Sequence, residues 1–407
     1  MRSSRVFGWL LLLAGCGGGG ASVPDAAAVA AQPWDSVLAS ARGSTVTWRM
    51  WRGDPSINRY IDDWVTPRLL ECCGITLFPV EGQGPDIVQQ LRLEAAAGAA
   101  GGADLLWING ETFAALRRDS LLGGPWADRL PNARYLDSTS TIVMQDFEQP
   151  LAGYESPWGR VQFALIYDTL RTPSPPRTVA ALASWIESHP GRFTHDQGFT
   201  GATFLKIALY SLNGGVANFL GGFDESRWEA ASSRLFPWLE NLTPHFWRQG
   251  EAYPLGVAEL HRLFANGEVD FSMSNNQNEV SAKVRQGILP ASSRPLLLED
   301  GTIANAHYLG IPANSSNPTG AMVVANFLLS PEAQYQKQRP EVWADGTVLD
   351  IDRLPAEWQE RFGSLESDPA ALADTMLSRL AVPEIAPAWH DRLVSEWRRR
   401  IRGQNSP

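Results

Sequence analysis

Apolar and polar residues follow two rhythms along the first third of this chain. The stretch Ser44-Thr45-Val46-Thr47-Trp48-Arg49-Met50-Trp51 reads as a strand. Residues 58–72 read as a helix, with Tyr60, Ile61, Trp64, Leu69 and Leu70 as its apolar positions. A second strand follows at 75–80. A second helix runs over 86–97, with Ile87, Leu91 and Leu93-Glu94-Ala95 on its apolar side. The third strand is Asp104-Leu105-Leu106-Trp107-Ile108, and the third helix covers 111–122. Strand alternating with helix predicts an α/β fold, with a parallel sheet and crossover helices. Ligands of such sheets bind beyond the carboxyl ends of the strands. That rule singles out two loops, Trp51-Arg52-Gly53-Asp54 and Asn109-Gly110-Glu111-Thr112.

After Pro150 the rhythm starts again. A long strand is expected over 161–168, then a proline-rich link at 172–176 and an amphipathic helix at 178–189. Phe199-Thr200-Gly201-Ala202-Thr203 opens a further helix. Residues 257–265 read as a helix stopped by Asn266-Gly267. A strand at 268–273 runs into the polar loop Ser274-Asn275-Asn276-Gln277-Asn278. The strand at 306–312 then returns toward the first part of the chain, and a helix at 318–329 stops at Ser330-Pro331. The chain thus fills one lobe, crosses to a second and crosses back. No repeat of 20–50 residues is visible.

The amino terminus changes where this fold must work. Arg2 and Arg5 precede a short apolar run, and Leu13-Ala14-Gly15-Cys16 is followed by four glycines. This is the pattern of an export signal. The run is too short to span a bilayer, which needs roughly 20 residues. The cysteine after Leu-Ala-Gly resembles a bacterial lipoprotein signal, which implies a lipidated Cys16 as the new amino terminus. The expected organisation is a signal at 1–15, a lipidated flexible linker at 16–35, lobe 1 from 36–155 and 306–402, and lobe 2 from 156–305. The protein is expected outside the cytoplasm, periplasmic or extracytoplasmic, held to a membrane by that lipid.

Composition is that of a globular chain, 44% hydrophobic with 10% aromatic residues. A net charge of −10 argues against a nucleic-acid partner. The basic tail Arg398-Arg399-Arg400 reads as the cationic end of a last helix. Cys72 and Cys73 read as two thiols at a helix end capped by Gly74, and no zinc-type cysteine pair occurs.

Several phrases resemble bacterial extracellular solute-binding proteins of ABC transporters. They are Glu268-Val269-Asp270 after a helix, Ile311-Pro312-Ala313-Asn314 ahead of Asn317-Pro318, and Leu328-Leu329-Ser330-Pro331-Glu332-Ala333-Gln334. Trp107 to Phe113, Gly124-Pro125-Trp126, Leu130-Pro131-Asn132 and Pro157-Trp158-Gly159 resemble the YnjB-like branch of that family. The resemblance implies a two-lobed periplasmic-binding-protein fold of type II. Each lobe would be a mixed, mostly parallel sheet flanked by helices, joined by two crossing strands. It implies a monomer that captures a small molecule between its lobes and delivers it to a membrane permease.

The candidate ligand contacts follow from the strand ends and helix starts that would line such a cleft. From the first lobe they are Trp51, Arg52, Asp54, Asn109 and Glu111. From the second they are Trp158, Thr200, Thr203, Asn275, Asn276 and Asn278, with Tyr308 at the return crossing. Aromatic faces and carboxylates together suit a cation, so a cationic amine, polyamine or thiamine-like, ranks first. A sugar ranks second, and an oxyanion forked by Arg52 third. No cofactor or metal is expected: the six histidines are scattered, and no adjacent tyrosine pair occurs. The rival class is a secreted glycosidase-like hydrolase pairing carboxylates from Asp54, Glu111, Asp146 or Glu155. No Gly-x-Ser-x-Gly elbow or phosphate loop is present.

Overall fold

A computed structural model describes residues 24–365 and 371–403. The expected signal, Cys16 and the glycine run lie outside the described residues. The linker expected to reach residue 35 ends earlier. Asp25 caps the helix Ala26–Ala30 by accepting from the Ala27 N–H at 3.0 Å. That helix and the following one, Trp34–Ala41, bury Ala26, Val29, Val37 and Ala41 against lobe 1. Alanine-rich sequence here has an apolar face to bury, which a glycine-serine tether would lack.

The described strands are, in chain order, β1 Thr45–Met50, β2 Thr76–Glu81, β3 Leu105–Ile108, β4 Gln145–Asp146, β5 Gln149–Pro150, β6 Glu155–Gln162, β7 Ala164–Asp168, β8 Phe271–Ser274, β9 Ser293–Leu296, β10 Thr302–Gly310 and β11 Ala381–Val382. In lobe 1, β1 lies between β2 and β3 and parallel to both, as the alternation predicts. β10 then runs antiparallel to β3 and to β6. β6 and β10 are the two crossing strands, and their pairing slips between His307 and Tyr308. The lobe 1 core forms around Val46, Trp48, Met50, Leu309, Ile311 and the helix Pro318–Leu328.

Lobe 2 departs from a mostly parallel sheet. β7 pairs antiparallel with both β8 and β9. The chain enters this lobe directly from the crossing strand β6, so its first strand points away from the hinge and its neighbours return. Helices Phe199–Leu212 and Glu225–Leu242 cover the sheet and bury Phe204, Leu235 and Leu239.

The assignment of 306–402 to lobe 1 is corrected at its end. β11 pairs with the lobe 2 end of β10. The final helix Pro387–Arg400 carries Trp389, Leu393 and Trp397 at intervals of four, one apolar stripe, and buries it in the lobe 2 core. The chain therefore crosses a third time. Between strands β1 and β2 the expected single helix is split into Pro55–Arg59, a π-helical turn Tyr60–Val65 and Thr66–Cys73. Gly74 ends it in the left-handed region, φ 68°. Cys72 and Cys73, expected as two thiols, are joined in a disulfide. No helix among the described residues is long and apolar enough to cross a membrane.

Candidate functional site

Strands β1 and β3 end facing lobe 2, and the loop and helix after each strand build the seam between the lobes. After β1 the chain turns through Trp51-Arg52-Gly53-Asp54. Asp54 caps the Pro55–Arg59 helix, its Oδ1 accepting from Ser56 N at 2.7 Å and Ile57 N at 3.3 Å. Its Oδ2 accepts from Lys283 Nζ, across the seam on the lobe 2 helix Glu279–Arg285. Lys283 Nζ lies 3.6 Å from Glu279 Oε2, and Glu279 Oε1 lies 3.4 Å from His261 Nε2. His261 Nδ1 meets Ser272 Oγ at 2.8 Å. Gln286 Nε2 donates to Ser56 Oγ at 2.9 Å, a second bond between the lobes.

Asp54, Glu279 and Lys283 all have charged partners at this end. Burial opposes the ionisation of Glu279, but Lys283 and His261 overcome it and hold the carboxyl at about 2. Burial likewise opposes the Lys283 ammonium, yet Glu279 and Asp54 push its pKa up. Beside this chain of contacts the lobes enclose a cavity of about 230 Å³. Trp51, Gly53, Asp54 and Pro55 form one wall, and Val257, His261, Glu279 and Lys283 stand on the other. A Cβ at Gly53 would come within 2.6 Å of the Trp51 indole, so glycine lets this loop fold over the ring.

The other end lies beyond β3. Asn109 precedes the helix Gly110–Arg118, and Glu111 sits in its first turn. Asp146 of β4 accepts the Gly110 N–H, and Glu155 begins β6. From lobe 2 comes Lys206, fully buried in the helix Phe199–Leu212. Its Nζ donates to Glu384 Oε2 at 2.5 Å. The ammonium lies 4.5 Å from the centre of the Phe147 ring and 5.4 Å from that of Phe199.

Acids outnumber their partners here. Glu111 Oε2, Asp146 Oδ2 and both Glu155 oxygens are buried without a hydrogen-bond partner. Burial, against the pull of Lys206, pushes the Glu111 carboxyl up to about 7. Burial and the neighbouring Glu111 push Asp146 well above the carboxylate range, against the Gly110 N–H. Burial and Asp146 do the same to Glu155. His390, with Nδ1 unpartnered, is driven well below its usual value by burial and by Lys206.

A hairpin closes this end. Between β4 and β5 only Phe147 and Glu148 turn the chain, at φ 46° and 61°. Two successive left-handed residues normally call for asparagine and glycine. Here lobe 2 holds them in place. Glu148 accepts from Gly221 N at 2.9 Å, Gly222 N at 3.3 Å and Ala386 N at 3.1 Å. The Phe147 ring packs so closely on Gly110 that a Cβ there would lie 2.2 Å from it.

The structure brings most of the sequence-predicted residues to this seam and removes others. Trp51 and Asp54 line the cavity, while Asn109 and Glu111 stand at the acid-rich end. Asn275 Nδ2 donates to Thr200 Oγ1 at 3.1 Å, which joins the polar loop to a helix start. Asn276 Nδ2 reaches the lobe 1 carbonyl of Ala344 at 3.3 Å, and Asn278 precedes the helix of Lys283. Arg52 is a correction, because its guanidinium turns out of the seam to Asp62 at 2.5 Å. Trp158 is another. It is fully buried in lobe 1, with ring centres 5.3 Å from Trp48, 4.9 Å from Trp107 and 5.4 Å from Trp343. Tyr308 is buried too, its hydroxyl donating to Ile142 O at 3.0 Å and Gln145 O at 2.9 Å. Thr203 is spent on its own helix, Oγ1 donating to Phe199 O at 2.9 Å.

Sequence reasoning missed Lys206, Lys283, Glu279 and Glu384. A signal for Lys206 existed: it is the single charged residue of Phe199–Leu212, and a lone lysine in so apolar a helix must find a buried partner.

Known proteins share the family and the fold of this chain. The family model for bacterial extracellular solute-binding proteins matches residues 69–349. Protein YnjB of Escherichia coli (strain K12) is 37% identical over 375 residues, spanning 91% of this chain and 94% of that one. Among solved structures, a putative spermidine/putrescine ABC transporter from Listeria monocytogenes superposes with a TM-score of 0.61 at 17% identity, covering 87% of this chain and 98% of the other. AfuA, the periplasmic binding protein from Actinobacillus pleuropneumoniae solved with fructose-6-phosphate bound, gives 0.63 at 13%, covering 88% and 98%. At such identities the likeness is one of fold.

Proposed function

The chain belongs to the bacterial extracellular solute-binding proteins; from that premise we propose that it serves ABC transport by capturing a cationic amine between its lobes, held to a membrane through a lipid on Cys16. The family replaces the reading as a secreted hydrolase. The fold alone leaves the solute open, since its relatives are named for a polyamine in one case and carry a sugar phosphate in another. Charge at the seam is what supports a choice among them.

The observation that carries the amine is the set Glu111, Asp146 and Glu155, buried with oxygens that no side chain or backbone N–H satisfies. Lys206 is already bonded to Glu384. Buried carboxyls in this state stay protonated near neutrality unless a cation joins them. A solute carrying ammonium groups supplies both the charge and the donors. An oxyanion would add a like charge, and Arg52, the residue that would fork it, faces Asp62 instead. The polar residues Asn275, Thr200 and Asn276 would orient whatever enters.

Titration calorimetry at pH 8 with spermidine, thiamine, maltose and phosphate tests the ranking. The amines are expected to bind at least tenfold more tightly than the sugar or the phosphate. Tight phosphate binding with none by either amine would overturn the reading. For the anchor, the measurement is membrane fractionation: Cys16→Ser should move the protein to the soluble fraction, and sedimentation like that of the wild type would refute lipidation.

A further inference from the structure

The cavity at the β1 end is walled by a tryptophan that lobe 1 leaves out of its aromatic cluster. Trp48, Trp107, Trp158 and Trp343 pack ring on ring in lobe 1. Trp51 follows β1 directly, yet among the described residues its half-buried indole has no ring partner and no hydrogen bond. It lines the cavity instead, with Pro55 beside it and Val257, Ala258 and Ile288 on the lobe 2 side. Pro55 and Ala258 are exposed, so the cavity opens to solvent. The charged side chains around it are engaged with one another. Asp54 and Glu279 both meet Lys283, and burial lowers the pKa of His261. The volume, about 230 Å³, exceeds the roughly 150 Å³ in which an apolar protein cavity holds benzene.

We propose that this cavity is a ring subsite, in which a small planar ring of the solute, uncharged or cationic, packs on Trp51 with Val257 and Ile288 against it. An indole packs well on other rings and attracts cations over its face. Asp54 and Glu279 would repel an anionic ring. The volume limits the subsite to one ring with small substituents, and the open mouth leaves the rest of the solute outside it. Among amines, the subsite therefore favours a ring-bearing cation over a linear polyamine. The inference rests on the reading that a solute is captured between the lobes, and not on the charge of that solute.

The experiment separates the two readings. Calorimetric affinities are measured for thiamine, a cation that also carries an uncharged pyrimidine ring, and for spermidine, a cation without a ring. Nicotinamide and nicotinate add a neutral and an anionic ring of nearly the same shape. The proteins are the wild type, Trp51→Ala, Trp51→Phe and Ala258→Phe, the last filling the cavity from an exposed position. The wild type is expected to bind thiamine at least tenfold more tightly than spermidine, and nicotinamide more tightly than nicotinate. Trp51→Ala and Ala258→Phe should each weaken thiamine tenfold or more while changing spermidine less than threefold, and Trp51→Phe should restore most of the loss. Spermidine binding as tightly as thiamine overturns the ring subsite and leaves the amine reading standing. So does an equal loss of both amines in Ala258→Phe, which stays decisive even if Trp51→Ala does not fold. Nicotinamide bound with neither amine supports the ring subsite and overturns the amine reading. Binding of none of the four probes overturns both.

Discussion

The two ends of the lobe seam bury carboxyls to the same depth and treat them oppositely. At the β1 end Glu279 is held at about 2, and at the β3 end Glu111 is pushed up to about 7. Both feel burial as the largest influence. The difference lies in what answers the charge. Glu279 faces Lys283 and His261, whereas Glu111 shares Lys206 with Glu384 and stands beside Asp146. Depth alone therefore says little about ionisation, and the ratio of acids to bases in contact says most. The matched end is built to hold the lobes together. The unmatched end leaves buried carboxyl oxygens without partners, and under the amine reading proposed above the solute supplies them.

The largest break in this contrast is Lys283→Ala. It leaves the buried Asp54 without a charged partner and Glu279 with His261 alone, which should cost about 3–5 kcal/mol of folding stability. Urea denaturation at pH 7 measures it. A loss under 1 kcal/mol would show that the two acids escape to water and that the β1 end is not a closed ion pair.

Glu111→Gln sharpens the other side, and its effect is smaller. The folded pKa of Glu111 is raised from 4.5 to about 7. Its protonated form therefore contributes stability below pH 4.5 that is lost as pH rises through about 7. The glutamine cannot ionise, so without solute it should equal the wild type near pH 4.5 and exceed it by up to roughly 3 kcal/mol at pH 8. The comparison of the two proteins cancels His195, His261 and His390, whose lowered pKa values act in the acid range in both. Thermal melts at the two pH values decide. A constant difference between the proteins would mean that Glu111 is paired in solution.

How much of this was legible beforehand divides along physical lines. Strand and helix alternation from β1 through β3 needs only local periodicity, and the parallel pairing followed from it. The sites at strand ends were legible by the same rule, which is why Trp51, Asp54, Asn109 and Glu111 fall at the seam. What failed was long-range. The return of Trp389, Leu393 and Trp397 into lobe 2 cannot be read from a helix whose stripe suits either core. Trp158 and Tyr308 looked like cleft aromatics because they flank the hinge, yet a crossing strand is buried on both faces. Lys206 and Lys283 meet acids 178 and 229 residues away, and no spacing rule reaches so far.

The β4–β5 hairpin has a mechanical consequence. Its two left-handed side-chain-bearing residues each carry strain of roughly 1–3 kcal/mol, and their restraint comes from lobe 2, through Gly221, Gly222 and Ala386. Tyr308, on a crossing strand, grips the hairpin's base through the carbonyl of Gln145. The tip is thus a cocked spring anchored at the hinge. Parting the lobes at this end would break these three bonds and free the turn to relax, so the loss of the bonds and the release of the strain should come together.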